Sequence, residues 1–408
     1  LEKRAKAASA ALNTASDETR RAVLLDLADR VEAASGDILA ANALDLAAAA
    51  ENGVPTPMLD RLRLTDARLS GMAEAVRALA RLDDPVGGGK TWTTPAGIHI
   101  TERRVPLGVV AMIFEARPNV TLDAAALCIR SGNAAVLRGG KEAVESSRAV
   151  CRVVGDALEA HDLPRDGVCL VERTERAGAE ALMTIRGYVD VLIPRGGKGL
   201  IRNVVDNAKV PVIETGAGNC HVYVAKTADF ATARRILENA KVQRPAVCNS
   251  VECLLCDRSV AANFLPFFER DMQRAGVEIR ADVNCIGSFK NAKLATPEDF
   301  DTEYDDLIIS VKVVDGIQEA VDHINRHGTK HSEAIITRDA AAAKYFTDHV
   351  DAAVVYVNTS TRFTDGGEFG YGAEIGISTQ KLHARGPMGL SALTTVKYLV
   401  NSGGAVRK

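Results

Sequence analysis

Cys248 stands in the run Gln243-Arg244-Pro245-Ala246-Val247-Cys248-Asn249-Ser250, and a thiol becomes a strong nucleophile once it is ionised. Pro245 ends the preceding helix, so Cys248 falls on a loop ahead of an apolar strand at 251–255. A loop thiol can be activated and partly exposed, with backbone N–H groups beside it for a developing oxyanion. Upstream, Ile213-Glu214-Thr215-Gly216-Ala217-Gly218 puts a carboxylate at the end of a strand, just before a glycine-rich turn. Downstream, Asp301-Thr302-Glu303-Tyr304 is expected to open a strand, and the chain closes with His383-Ala384-Arg385-Gly386-Pro387-Met388-Gly389-Leu390.

Other chemistry-bearing patterns fail on spacing. Gly87-Gly88-Gly89-Lys90-Thr91 lacks the earlier glycine of a phosphate loop, since Asp84 holds that place, and Trp92-Thr93-Thr94-Pro95 is a poor helix start. It reads as a tight, flexible turn. Gly216-Ala217-Gly218-Asn219-Cys220-His221 breaks the dinucleotide fingerprint at its last position. Cys253-Leu254-Leu255-Cys256 lies in an apolar strand whose residues alternate between faces, which suits packing better than metal. His323, His327 and His331 recur every four residues, but Gly328 interrupts the helix, so they read as a solvated helix end. No metal site is expected. Seven of the eight cysteines read as small buried hydrophobes.

The elements that must position these residues follow from periodicity. Ala-rich stretches at 4–13, 18–34, 36–51 and 65–80 repeat apolar residues at helical spacing. Residues 97–105 alternate like an exposed ribbon. From Leu107, short apolar strands (108–114, 134–137, 168–170, 189–193 and 210–213) alternate with helices at 121–131 and 141–160. A second such run spans about 222–357, then a loop-rich stretch at 362–387 and a last strand at 394–401. This alternation is the mark of βαβ units and a mainly parallel sheet.

The chain has 408 residues, 50 basic and 53 acidic, and a net charge of −3, which argues against a nucleic-acid surface. No apolar run reaches the roughly 18 residues of a membrane span. Residues 1–30 carry no apolar signal core, so a cytoplasmic location is expected.

The order of carboxylate, thiol and second carboxylate resembles the aldehyde dehydrogenase superfamily. Within it, the chain is similar to the gamma-glutamyl phosphate reductases in Val105-Pro106-Leu107-Gly108-Val109-Val110, Phe114-Glu115-Ala116-Arg117-Pro118-Asn119-Val120-Thr121 and Ser131-Gly132-Asn133-Ala134. The match continues through Ile193-Pro194-Arg195-Gly196-Gly197, the Cys248 loop, Gly328-Thr329-Lys330-His331-Ser332-Glu333-Ala334, Val357-Asn358-Thr359-Ser360-Thr361 and Phe369-Gly370-Tyr371-Gly372-Ala373-Glu374-Ile375-Gly376. Where hydrolytic relatives carry an oxyanion-supporting asparagine, this chain has Glu115. Pro194 replaces a glycine of their cofactor turn, and Arg138 a common cofactor lysine.

The resemblance implies an α/β fold with a Rossmann-type nucleotide domain (1–96 and 106–216), an α/β catalytic domain (217–388) and a small β oligomerisation protrusion (97–105 and 389–408). It implies NADPH-dependent reduction of L-glutamate 5-phosphate to L-glutamate 5-semialdehyde and phosphate, the second step of proline biosynthesis from glutamate. Cys248 would be the nucleophile, and Glu214 would help ionise it, line the nicotinamide site or serve only the structure. Glu303, Arg138, Lys141, Gly196 and Gly197 would bind the cofactor, Arg138 and Lys141 meeting the adenosine ribose and its 2′-phosphate. Arg117, Asn119, Arg362 and His331 would meet the substrate's anions. The resemblance also implies a homodimer or higher homo-oligomer and leaves room for a contact with glutamate 5-kinase. A coenzyme-A-dependent acylating aldehyde dehydrogenase shares the thiol and the hydride step and stands as the alternative. A kinase and a redox-sensing module stay open at this level.

Overall fold

The computed structural model describes residues 1–115, 117–173 and 175–407, the side chains of 56, 57 and 176 excepted. Contacts divide the chain into one unit of Leu1–Glu214, Gly370–Gly376 and Met388–Lys408, and another of Thr215–Phe369 and Ile377–Pro387.

The first unit opens with helices Glu2–Thr14, Asp17–Ala33, Ser35–Glu51 and Asp66–Arg81. Ser16 and Thr65 cap the second and the last of these by accepting the N–H of Thr19 and Arg68. Their apolar stripes, such as Val23, Leu24, Leu27 and Val31 against Leu69, Met72, Val76 and Leu79, are buried. A four-stranded parallel sheet follows, in the order Val168–Leu170, Ala134–Arg138, Val109–Phe114, Val191–Arg195. The chain starts at Val109–Phe114, runs outward to Val168–Leu170 and returns to the other side, so the order reverses beside the first strand. That is the switch point at whose carboxyl side α/β sheets bind ligands.

Three expectations change in this unit. The helix after Val109–Phe114 begins at Pro118 instead of Thr121, because proline needs no N–H donor in a first turn. Residues 210–213 form only a bridge, Leu192 to Val212. Pro211 supplies its carbonyl to Leu192 but has no N–H with which to extend a ladder. The Gly87–Gly89 run is no flexible turn: Gly87 N–H donates to Arg104 O at 2.9 Å, Arg104 N–H to Gly88 O at 2.9 Å, and Glu102 N–H to Lys90 O at 2.8 Å. A Cβ on Gly89 would lie 1.9 Å from Glu102 O, so glycine is there for close backbone approach and not for phosphate.

That run borders an antiparallel ribbon of Thr91–Thr93, His99–Pro106 and Thr394–Asn401, with His99–Pro106 in the middle. Trp92 meets Tyr398 edge-on across the ribbon, with ring centroids 6.2 Å apart.

The second unit holds a seven-stranded, all-parallel sheet. Its order is Lys293–Leu294, Glu278–Ala281, Ile308–Val314, Val251–Asp257, Cys220–Val224, Ser332–Ile336, Val354–Val357. Every residue of Val251–Asp257 is buried, as a central parallel strand requires. One face packs Val222, Leu254, Phe264 and Phe268; the other packs Tyr223, Leu255, Ile335 and Phe346. Cys256 joins the first face and Cys253 the second, so the C-x-x-C spacing points its sulfurs to opposite sides. The strand expected from Asp301 starts instead at Ile308. A capping box of Thr296 and Asp299 winds Pro297–Asp301 into a 3-10 turn, and Asp305 takes a left-handed φ of 53°. No helix among the described residues is long and apolar enough to cross a membrane.

Candidate active site

Helix Phe230–Val242, capped by Asp229 on Thr232 N–H, stops short of Pro245, and the chain then turns to reach strand Val251–Asp257. Cys248 lies on that turn and is half-buried, whereas Cys128, Cys169, Cys220, Cys253, Cys256 and Cys285 are buried. The turn is held from below by the glycine-rich segment. A Cβ on Gly218 would fall 1.4 Å from Cys248 O and 2.6 Å from its Cα, so only glycine admits this contact. Gly218 N–H donates to Glu303 Oε1 at 2.8 Å, and Cys220 Sγ donates to Cys248 O at 3.2 Å. Glu303, Gly218 and Cys248 are thereby joined in one chain of contacts, although up to 85 residues separate two of them. The turns at Gly218, Cys248 and His331 all precede strands of the same parallel sheet, so this site lies off the strands' amino ends.

Arg362 reaches the residue next to the thiol. Its Nη1 donates to Asn249 Oδ1 and its Nε to Gln243 Oε1 at 3.1 Å. Asn249 is otherwise locked, donating through Nδ2 to Thr364 O at 2.9 Å while its carbonyl accepts from Thr361 Oγ1 at 2.7 Å. Burial and then Arg244 lower the Arg362 pKa, with Cys248, Asp365 and Cys220 pulling the other way.

His331 requires correction. It is fully buried, its Nδ1 2.8 Å from Ser332 Oγ and 3.9 Å from Cys220 Sγ, so it has no surface for a substrate anion. It belongs to the wall behind Cys220, in a network running from Ser332 Oγ to Thr364 Oγ1 to Tyr356 OH. His323 is likewise buried and not part of a solvated end, because its helix packs its histidine face onto the sheet.

One buried pair escaped the sequence reading. Lys241 Nζ donates to Glu252 Oε2 at 2.6 Å, and both residues are fully enclosed. Burial raises the Glu252 carboxyl to about 8 and lowers Lys241, with the ion pair opposing both shifts. A glutamate inside the apolar run Val251-Glu252-Cys253-Leu254-Leu255 was the available signal.

The remaining expected residues belong to the first unit, along the carboxyl edge of its sheet. Arg138 ends Ala134–Arg138 and is half-buried, with Nη2 3.5 Å from Glu175 O; burial lowers its pKa against the pull of Glu142. Lys141 follows at the surface. Gly196 and Gly197 lead from Val191–Arg195 into helix Lys198–Asn207, where Gly197 N–H donates to Glu115 Oε2 at 3.1 Å. A Cβ on Gly196 would lie 2.6 Å from Glu115 Cδ. Glu115 is thus an acceptor at a helix start, and in this arrangement it supplies no oxyanion donor. Arg117 is exposed just before helix Pro118–Arg130, and Asn119 Nδ2 donates to Asp123 Oδ2 at 3.1 Å. Burial raises the Asp123 carboxyl to about 6 against the pull of Asn119 and Arg195. Glu214 is the last residue of this unit before the chain passes into the second.

Comparison with known proteins adds an independent line. Residues 2–293 match the aldehyde dehydrogenase family. The gamma-glutamyl phosphate reductase of Limosilactobacillus reuteri (strain DSM 20016) is 50% identical over 407 residues, covering 100% of this chain and 98% of that protein. The enzyme of the same name from Lacticaseibacillus paracasei is 58% identical over 355 residues, covering 87% and 85%. The crystal structure of gamma-glutamyl phosphate reductase from Thermotoga maritima superposes with a TM-score of 0.97 at 42% identity, covering 100% of this chain and 99% of that one. An acetylating aldehyde dehydrogenase from Geobacillus thermoglucosidasius shares the fold alone, at 17% identity and a TM-score of 0.71.

Proposed function

Because the chain belongs to the aldehyde dehydrogenase family, whose members use a nicotinamide cofactor, we propose that it reduces L-glutamate 5-phosphate to L-glutamate 5-semialdehyde and phosphate with NADPH, the second step of proline biosynthesis. The observation that carries this reading is the half-buried Cys248, fixed between Gly218 and Asn249 beside the Arg362 guanidinium.

The cofactor's fit rests on the carboxyl edge of the four-stranded sheet. Arg138 and Lys141 bring two positive charges to the end of one strand, which suits a 2′-phosphate, and Gly196 and Gly197 add no side chain of their own to the neighbouring turn, against which Glu115 lies. Glu303, held by Gly218 N–H, is suited to ribose hydroxyls. When bound, the nicotinamide supplies the hydride.

The chain's own part begins with the Cys248 thiolate, which attacks the acyl-phosphate carbonyl carbon. A carbon–sulfur bond forms, the carbon–oxygen bond to phosphate breaks, and phosphate leaves with the electron pair. The resulting thioester is reducible where a free carboxylate is not. After reduction, the thiohemiacetal on Cys248 collapses, the carbon–sulfur bond breaks, and aldehyde and thiolate are regenerated. Arg362 stabilises the thiolate at the start and end of this cycle. Arg117, Asn119 and Arg362 are assigned to the substrate's anionic groups, and Glu214 to the nicotinamide side, where a water-activating role would waste the thioester. The roles of nucleotide domain (1–96, 106–216), catalytic domain (217–388) and oligomerising ribbon (97–105, 389–408) follow from the same reading, as do a cytoplasmic location, a homo-oligomer and a contact with glutamate 5-kinase.

Cys248→Ala tests this. Reduction of the acyl phosphate should vanish while the fold persists, and Cys151→Ala and Cys169→Ala should keep turnover. Substantial activity in the Cys248 variant would overturn the covalent mechanism.

A further inference from the structure

A second constellation of potential ligands sits inside the seven-stranded sheet's unit, apart from the thiol loop. His221 and Cys253 are register partners on the adjacent parallel strands Cys220–Val224 and Val251–Asp257, so their side chains leave the sheet on the same side. Helix Ile317–His327 lays His323 over them, with Cys253 Sγ 4.0 Å from His323 Nε2. One donor atom from each of the three lies within 4.8 Å of the others. His221 and Cys253 are fully buried and His323 is 5% exposed.

The surroundings prepare the trio as ligands. Glu333 Oε2 sits 3.0 Å from His221 Nδ1 and also accepts the His221 backbone N–H at 2.7 Å. That fixes the ring, and His221 Nε2, on the side of Cys253 and His323, is buried with no nitrogen or oxygen partner. A carboxylate behind a histidine whose far nitrogen faces a cluster of nitrogen and sulfur donors is the usual outer support of a metal ligand. Phe300 closes the site edge-on to His323, with ring centroids 5.4 Å apart.

We propose that His221, Cys253 and His323 form a structural site for a borderline-soft divalent ion of the zinc class, with Glu333 positioning His221. Two imidazoles and a thiolate suit zinc, whereas calcium and magnesium call for oxygen ligands. Around one ion, with bonds of about 2.0–2.3 Å, tetrahedral donors stand roughly 3.3–3.7 Å apart, so the trio closes by about 1 Å at its widest. Three protein ligands leave the ion's fourth position to a ligand from outside the chain. Binding releases the Cys253 thiol proton, and any proton on His221 Nε2, to solvent. The ion would tie two central strands to helix Ile317–His327, and so brace Cys220, whose sulfur touches the Cys248 carbonyl. The site does not depend on the reaction proposed above.

The test is titration of the full-length Cys248→Ser chain with Co²⁺ and then Zn²⁺, so that the loop thiol does not contribute. One Co²⁺ should bind per chain with a thiolate-to-cobalt charge-transfer band, which one equivalent of Zn²⁺ abolishes, and Zn²⁺ should raise the thermal midpoint. Cys253→Ser should remove the band. Glu333→Gln should keep the stoichiometry and weaken affinity by about 10- to 100-fold. His323→Gln, altering the most accessible ligand, serves if the Cys253 variant does not fold, and should weaken the band likewise. Absence of the band in the Cys248→Ser chain, or its survival unchanged in Cys253→Ser or His323→Gln, would overturn the proposal.

Discussion

The backbone of Gly218 lies so close to that of Cys248 that a methyl group on Gly218 would stand 1.4 Å from the Cys248 carbonyl oxygen. The thiol's position is therefore set by a glycine thirty residues away, whose N–H is held in turn by Glu303. Gly218→Ala should push the Cys248 loop outward. Because displacement of a reacting group by about 1 Å costs on the order of a hundredfold in rate, kcat should fall by about that factor while cofactor affinity changes less. Steady-state kinetics check it, and unchanged kcat would refute the dependence.

Cofactor choice should rest on Arg138 and Lys141. Loss of one charge-assisted contact to a 2′-phosphate costs about 1.5–3 kcal/mol, or roughly ten- to a hundredfold. Arg138→Ala or Lys141→Ala should cut kcat/KM for NADPH by that much and leave NADH nearly unaffected. Equal efficiency of the native protein with both cofactors would contradict the assignment.

Asp123 should make stability fall as pH rises. Its folded pKa, raised to about 6 by burial, lies above the ordinary unfolded value near 3.9, so the folded state holds the proton more tightly. The contribution is fully present below about pH 4 and is lost as pH climbs through 6, on the order of 3 kcal/mol in all. Thermal midpoints of the native protein and Asp123→Asn, measured from pH 4 to 7, should diverge in favour of the variant. A constant gap would refute it.

The ribbon strand Thr394–Asn401 should mediate association. It is an outer strand of its sheet and leaves Val396, Tyr398, Leu399 and Val400 exposed, a row that unpaired edges seldom tolerate. Of two consecutive residues in such a strand, one N–H points into the ladder and the other outward. Proline placed in turn at Tyr398 and Leu399 should therefore weaken association at one position while sparing the ribbon. Sedimentation at micromolar concentration checks this: the native protein should exceed its 43.4 kDa monomer mass, and a monomer would refute the interface.

Much of this was legible from residue order. Cys248 ahead of an apolar strand, and the βα alternation on either side, need only local rules, since proline, glycine and apolar periodicity act on neighbours in the chain. Contacts between distant segments left weaker marks. The Gly87–Gly89 run looked like a turn because nothing local shows Arg104 bonding to it and Glu102 bonding to Lys90 beside it. His331 looked available to an anion because its burial behind Cys220 depends on strand order. His221 and Cys253 are 32 positions apart and meet only through sheet register, so neither histidine spacing nor the C-x-x-C pattern pointed to them. Val210-Pro211-Val212-Ile213 misled in the other direction, its β-branched residues outvoting a proline that cannot donate.

The central claim is that Cys248 carries an acyl group that is exchanged with phosphate, or its analogue arsenate, and not with coenzyme A. The most direct measurement runs the reaction backwards: NADP⁺ reduction driven by L-glutamate 5-semialdehyde, with phosphate, with arsenate, or with coenzyme A as the acyl acceptor. NADPH should form with phosphate or arsenate, and none should form with the Cys248→Ala variant. NADPH formation that ignores phosphate and arsenate but requires coenzyme A would contradict the account.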